Sequence, residues 1–231
     1  MLALKAVVIE QDGFTLRANF TIKSGRRVAV LGPSGAGKST LLAALGGALS
    51  LAQGDIIWQG QSIAALQPSQ RPVANVFQDN NLFPHMTAFQ NVGLGINPSL
   101  RLSTADRARV SESLSAVGLL GLEARLPAAL SGGQQSRVAL ARLLVQQKPL
   151  VLLDEPFSAL GPAMRLDMAD LACEVGGRIG ATVLMVSHDI KDVERFAEDV
   201  IWVEGGVCQT PRALVDFLKD PPAGFTAYVG V

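Results

Sequence analysis

Directly after the apolar run Val28 to Leu31 the chain reads Gly32-Pro33-Ser34-Gly35-Ala36-Gly37-Lys38-Ser39-Thr40. Gly32, Gly37, Lys38 and Ser39 meet the G-x-x-x-x-G-K-[ST] spacing of a phosphate-binding loop. Its glycines let the backbone bend until successive N–H groups converge on an anion, and a helix opening near Lys38 adds the positive end of its dipole. Lys38 is expected to reach the β- and γ-phosphates of a nucleotide, and Ser39 to ligate Mg²⁺. Further on, four apolar residues, Leu150 to Leu153, lead into Asp154-Glu155. A carboxylate at the end of a buried strand is where a phosphate-loop enzyme supports its metal. Alternation of strand side chains is expected to turn Glu155 away from Asp154, leaving Asp154 for the metal and Glu155 for an attacking water. Between these stretches lies Leu130-Ser131-Gly132-Gly133-Gln134, in which Ser131 can cap a helix and two glycines expose N–H groups.

These residues need a frame. Leu2 to Ile9 and Phe14 to Ile22 read as antiparallel strands around Gln11-Asp12-Gly13, and Val28 to Leu31 as the strand feeding the phosphate loop. The loop helix ends at Gly46-Gly47. Further strands are expected at Gly54 to Gly60, Val73 to Phe77, Leu150 to Leu153 and Thr182 to Ser187, and a hairpin at Ile201 to Cys208 around Gly205-Gly206. Helices are expected from Gly133 to about Gln147, Pro162 to Val175, Ile190 to Phe196 and Arg212 to Lys219. From Thr87 to Ala129 the pattern is helical, with Ser103 and Asp106 forming a capping box and Gly118 a stop. The alternation predicts an α/β fold, a mostly parallel sheet flanked by helices, with ligands at the carboxyl ends of its strands.

The phosphate loop, L-S-G-G-Q and L-V-L-L-D-E-P, in this order, resemble the ATP-binding-cassette ATPases. Gln78 in V-F-Q is similar to that family's glutamine loop, and His188 in V-S-H-D to its histidine switch. The resemblance spans nearly the whole chain and implies a single cassette domain over residues 1–231: a phosphate-loop hydrolase core, an N-terminal antiparallel β subdomain and a helical subdomain inserted at about 87–135. It further implies a head-to-tail dimer in which the loop of one copy and Ser131, Gly132, Gly133 and Gln134 of the other enclose one ATP. Lys38 and the loop amides would hold phosphate, Ser39, Gln78 and Asp154 would hold Mg²⁺, Glu155 would be the general base, and His188 would sense the γ-phosphate.

Arg71 to Leu102, with D-N-N-L-F-P-H-M-T and N-V-G-L-G-I-N-P, looks like the bacterial nutrient importers, above all those for thiamine or thiamine diphosphate. Iron, molybdate or polyamine import, or a soluble cassette ATPase of DNA repair or translation, are the alternatives. An importer implies a membrane permease, with His85 near its contact, a periplasmic solute-binding protein reached through the complex, and a peripheral place on the cytoplasmic face of the inner membrane. Three departures stand out. Ser158-Ala159-Leu160 is followed by Gly161 where relatives carry Asp, Ser136 replaces a Gln, and no Tyr near the N-terminus offers a ring to adenine. Phe14 is the nearest substitute, and it reads better as a strand core residue.

Composition excludes other classes. The chain has 231 residues, 48% apolar and 17% charged, enough for a sizeable core, and its 20 basic residues balance its 20 acidic ones. No bulk charge draws it to nucleic acid. The apolar runs are strand-length, too short for a bilayer span, and the N-terminus, with Lys5 in its apolar stretch, reads as a strand and not a signal peptide. Cys173 and Cys208 are expected to be free thiols of a cytosolic protein.

Overall fold

The computed structural model describes residues 1–229; Gly230 and Val231 lie outside the described residues. Strands β1 (Leu2–Gln11) and β2 (Phe14–Ile22) precede β3 (Arg27–Leu31), whose last four residues are fully buried. The phosphate loop then opens helix α1 (Lys38–Gly46), and β4 (Gln53–Trp58), β5 (Gln61–Ser62) and β6 (Val73–Val76) follow. Three helices come next: α2 (Ala88–Gly93), α3 (Thr104–Ala116) and α4 (Gly132–Gln146). The chain returns through β7 (Leu150–Asp154), α5 (Pro162–Arg178), β8 (Thr182–Val186), α6 (Ile190–Phe196) and β9 (Asp199–Glu204). It finishes with β10 (Val207–Cys208), β11 (Arg212–Ala213), α7 (Leu214–Lys219) and α8 (Ala223–Val229). The expected helix from Arg212 begins two residues later than the sequence pattern placed it, because Arg212 and Ala213 pair with Val200 and Asp199 as a short strand. Segment 87–129 is less helical than its pattern, since the chain between α2 and α3 is held as a loop.

One mixed sheet runs β5-β4-β1-β2-β10-β9-β3-β8-β7-β6, with β11 on β9. From β9 to β6 every pair is parallel, and from β2 to β5 every pair is antiparallel. The parallel strands are covered on both faces, which is why they read as unbroken Val, Leu, Ile and Met runs and not as alternating ones. Each such side chain, fully buried, contributes roughly 1.5–3 kcal/mol before entropy is counted.

Helices α2, α3 and α4 share one apolar cluster with α5 and the β6, β7 face, through Val92, Val110, Leu114, Val138 and Leu140. Asn91, fully buried, shapes the loop ahead of α2. Its amide donates to the carbonyls of Phe83, Met86 and Thr87, and its Oδ1 accepts from the Phe83 N–H at 2.8 Å.

Arg71, only 2% exposed, plays the equivalent part behind the phosphate loop. Its guanidinium donates to the carbonyls of Ala44 and Leu45 at 2.6 and 2.8 Å, and to those of Leu66 and Ala64 at 3.0 and 2.7 Å. Two of these carbonyls end α1, where a cation also opposes the negative end of the helix dipole. Arg71→Ala strands two buried and two half-buried acceptors and is expected to cost roughly 2–4 kcal/mol. A urea titration of the full chain checks this: an unchanged midpoint would show that water replaces the guanidinium without loss.

Candidate functional site

Strands β6, β7, β8 and β3 are neighbours and parallel, so the loops at their carboxyl ends open side by side. Gln78 follows β6, Asp154 ends β7, His188 follows β8 and Gly32 follows β3. Asp154 pairs with Val186, which pairs in turn with Val30, so the ladder delivers all four loops at one level.

Gly32 and Gly37 are fixed by packing and backbone. A Cβ on Gly32 would sit 2.0 Å from the Val203 carbonyl oxygen, so no side chain fits between the loop and β9. Gly37 has φ +105 at the start of α1, a conformation costly for any residue with a Cβ. Lys38 folds back across the loop, its Nζ donating to the carbonyls of Gly32 at 2.7 Å and Pro33 at 2.9 Å. Burial lowers the pKa of Lys38, opposed by the nearby Glu155 and Asp154 carboxylates.

Ser39 Oγ donates to Asp154 Oδ1 at 3.2 Å. Burial raises the pKa of Asp154, the Ser39 hydrogen bond opposes that shift, Glu155 adds to it and Lys38 opposes it. The pair offers two hard oxygen donors, a hydroxyl and a carboxylate whose burial outweighs the help of Lys38, and this donor set fits Mg²⁺.

Glu155 departs from the strand alternation expected of it. It lies past the end of β7 with φ +46, a strained position for a residue with a side chain, and its N–H donates to the Val186 carbonyl at 3.1 Å. Ser158 closes the turn, with N–H and Oγ both donating to the Glu155 carbonyl. Both carboxylates therefore face one cleft of about 870 Å³, lined also by Gln78, Ser158 and His188. Glu155 also borders the adjoining pocket of about 370 Å³, lined by Ser34, Gly35, Gly37, Lys38, Ser39 and Thr40. His188 Nδ1 stands 3.3 Å from Glu155 Oε2. A carboxylate where the two spaces meet is suited to take a proton from a water attacking a phosphate held by the loop.

Phe14 also lines the loop pocket, its ring 3.0 Å from where a Gly37 Cβ would be. It is half-buried, so strand packing and an open face toward the pocket coexist. Ser131 caps α4 in a capping box with Gln134, and a Cβ on Gly133 would meet the end of the Met164 side chain, which would have to move aside. None of Ser131, Gly132, Gly133 and Gln134 lines either of these two spaces. Gly161 has φ −67, open space where a Cβ would point, and no side-chain cap to offer α5.

Two arginines that sequence reasoning passed over tie these loops together. Arg142 of α4 donates to the carbonyls of Asn81, in the loop after Gln78, and Asn91. Arg165 of α5 donates to the Leu160 carbonyl at 3.2 Å and to Asp189 Oδ2, beside His188, at 3.1 Å. Arginines on helices of mixed polarity carry no sequence signal that separates them from solvated ones.

Because the folded pKa of Asp154 lies above its unfolded value, the carboxylate costs stability once ionised, and that cost fades as pH falls through the raised value. Asp154→Asn is therefore expected to melt at a higher temperature than the native chain without nucleotide at about pH 7. The gain should shrink toward the ordinary carboxylate range near pH 4. Calorimetry across that range checks both the sign and the fading; a lower melting temperature at neutral pH would contradict the desolvation argument.

A family model described as ABC transporter matches residues 16–158. The chain is 51% identical to the thiamine import ATP-binding protein ThiQ of Cereibacter sphaeroides, covering 100% of both chains. To the protein of that name from Escherichia coli K12 it is 45% identical, covering 100% of this chain and 99% of that one. Among solved structures, a dimeric post-hydrolysis state of the ATP-binding cassette MJ0796 bound to ADP and Pi superposes with a TM-score of 0.79. That match has 30% identity and covers 93% of this chain and 99% of the other. A nucleotide-free ATP-binding cassette from an ABC transporter, 21% identical, shares the fold with a TM-score of 0.84, covering 96% of each chain. By fold, by the motifs on its four strand ends and by full-length likeness, the chain belongs to the ABC transporter family of ATP-hydrolysing cassettes.

Proposed function

We propose that this chain is the ATP-hydrolysing subunit of a thiamine importer, working as a dimer in which each nucleotide is held between two copies. The observation that carries the hydrolytic reading is the meeting of the Glu155 carboxylate with both the phosphate-loop pocket and the cleft containing His188. Thiamine as cargo is supported by full-length relatives bearing that name.

In the proposed mechanism the loop from Gly32 to Thr40 binds the phosphates through its N–H groups, and Lys38 swings from its own loop carbonyls onto the β- and γ-oxygens. Mg²⁺, when bound, supplies neutralising charge on those oxygens, and Ser39, Gln78 and Asp154 would hold it. Glu155 accepts the proton of the attacking water, and His188, already beside Glu155, contacts the γ-phosphate side of the cleft. Ser131, Gly132, Gly133 and Gln134 act on the nucleotide of the other copy. Their separation from the two spaces described, within one chain, supports that division, as does the dimeric state of the MJ0796 cassette. Residues 1–231 then form one cassette, with a helical portion at about 87–135 inserted in the α/β core and His85 near the permease contact. The assembly includes a periplasmic solute-binding protein, and this subunit is peripheral on the cytoplasmic face of the inner membrane. No described helix is long and apolar enough to cross a membrane.

In liposomes carrying the assembled importer, thiamine with its binding protein is expected to raise ATP turnover by the native chain. Glu155→Gln should bind ATP, form a long-lived dimer and hydrolyse on the order of 100-fold more slowly or worse. Indifference to thiamine would remove the cargo, and near-normal turnover by Glu155→Gln would remove the base.

Gly161 tests the contact between copies. Its backbone and open surroundings accept Asp without strain, and the carboxylate can cap α5 for a few tenths of a kcal/mol. Gly161→Asp should therefore fold at least as stably as the native chain, with a higher Hill coefficient for ATP or a longer dimer lifetime. Steady-state kinetics of the assembled importer is the measurement, and unchanged values would mean the native dimer lacks nothing there.

A further inference from the structure

Helix α8 brings the single tyrosine of the chain, Tyr228, to the back of the hydrolytic site. Its ring packs edge-on against Trp202, centroids 5.5 Å apart, and beside Phe225, in a cluster with Phe217, Val193 and Ile190. Its hydroxyl donates to the carbonyl of Ser187 at 3.3 Å. Ser187 is buried, lies between the end of β8 and His188, and is the residue on whose backbone the direction of His188 depends. From the other side the same turn is held by Arg165 on Asp189, and by the Ser187 hydroxyl, which accepts from the Asp189 N–H and donates to Asp192. Burial pushes the phenol of Tyr228 up to about 12, the Glu155 and Asp189 carboxylates adding to the shift, so the hydroxyl stays a donor throughout the neutral range.

We infer that Tyr228 is a positioning residue for ATP hydrolysis: through the Ser187 carbonyl it sets His188 against Glu155, so that α8 braces the switch from behind. The inference rests on the roles given above to Glu155 and His188. Tyr228 lines neither of the two nucleotide spaces, so removal of its hydroxyl is expected to act on turnover and not on ATP affinity. A turn held only from the Arg165 side leaves His188 free to swing away from Glu155, at the 3.3 Å separation that now joins them.

Tyr228→Phe removes the hydroxyl and keeps the ring in its aromatic cluster. In the full-length protein kcat for ATP is expected to fall by about threefold to tenfold, the size of one neutral hydrogen bond, with KM changed by less than about twofold. The chain has only two histidines, so ¹H–¹⁵N spectra of the imidazoles report His188 directly, with His85, which packs against Phe83, as the internal reference. The His188 signals are expected to shift in Tyr228→Phe and those of His85 to stay. Glu155→Gln, assayed alongside, separates the two readings. If it is inactive while Tyr228→Phe matches the native chain in kcat, or leaves the His188 signals in place, the bracing role is wrong and the hydrolytic assignment stands. If KM rises with kcat unchanged, the hydroxyl serves binding and the inference is equally overturned. If Glu155→Gln hydrolyses normally, the reading beneath the inference falls and takes it along.

Discussion

Everything at the hydrolytic site depends on the backbone ladder that holds β6, β7, β8 and β3 parallel and in register. Val76 stands opposite Leu153, Asp154 opposite Val186 and Val186 opposite Val30. A slip of one residue in any of these pairs would turn its loop's functional side chain to the other face. The slip is opposed by burial on both faces, since each strand would have to reseat its whole row of Val, Leu and Met side chains in a close-packed interior. Parallel strands also end on the same side of a sheet, so one ladder collects loops from four places in the sequence into a single row.

Burial works against the charges in that row. Lys38 and Asp154 are both displaced by burial toward their neutral forms, and Lys38 satisfies itself on carbonyls of its own loop. A polyanion would bring the lysine a stronger acceptor, and a divalent cation would add to the charge that Lys38 already sets against the aspartate. The desolvation that costs folding stability here strengthens every later interaction with the ligand. The positive φ of Glu155 belongs to the same pattern, a local strain tolerated because Val186 and Ser158 determine the turn from both sides.

Loops around such a site could wander, and three arginines prevent it. Arg71 closes the end of α1, Arg142 ties α4 to the loop after Gln78, and Arg165 ties α5 to the turn around His188. Each spreads its donors over two or more oxygens, carbonyls for Arg71 and Arg142 and a carbonyl with a carboxylate for Arg165, a task that suits a rigid planar fork better than the single ammonium of lysine. The Arg142 link matters for motion, because Ser131 begins the same helix. A displacement of α4 must carry the loop after Gln78 with it or break those bonds, so a contact made by Ser131 on another copy can be felt beside this copy's cleft.

Local chemistry, the part of a fold written in neighbouring residues, determined a great deal here. The phosphate loop, the caps at Ser103 and Ser131, the buried run into Asp154 and the alternation of strands with helices are all properties of short segments. Their consequences survive folding because glycine geometry, helix caps and strand burial are decided within a few residues. What only the tertiary structure decided lies in pairs far apart in the chain. The direction of Glu155 came from a turn closed by Val186, so the strand rule that predicts opposite faces for adjacent carboxylates did not reach it. Phe14 reached the rim of the loop pocket because β2 packs beside the loop, and Tyr228 reached the carbonyl before His188 because α8 folds back over Trp202. Arg142 and Arg165 look like any solvated helix charge until partners 24 to 61 positions away arrive. No local pattern encodes such contacts, because the energy that selects them is gained only when distant segments are already packed.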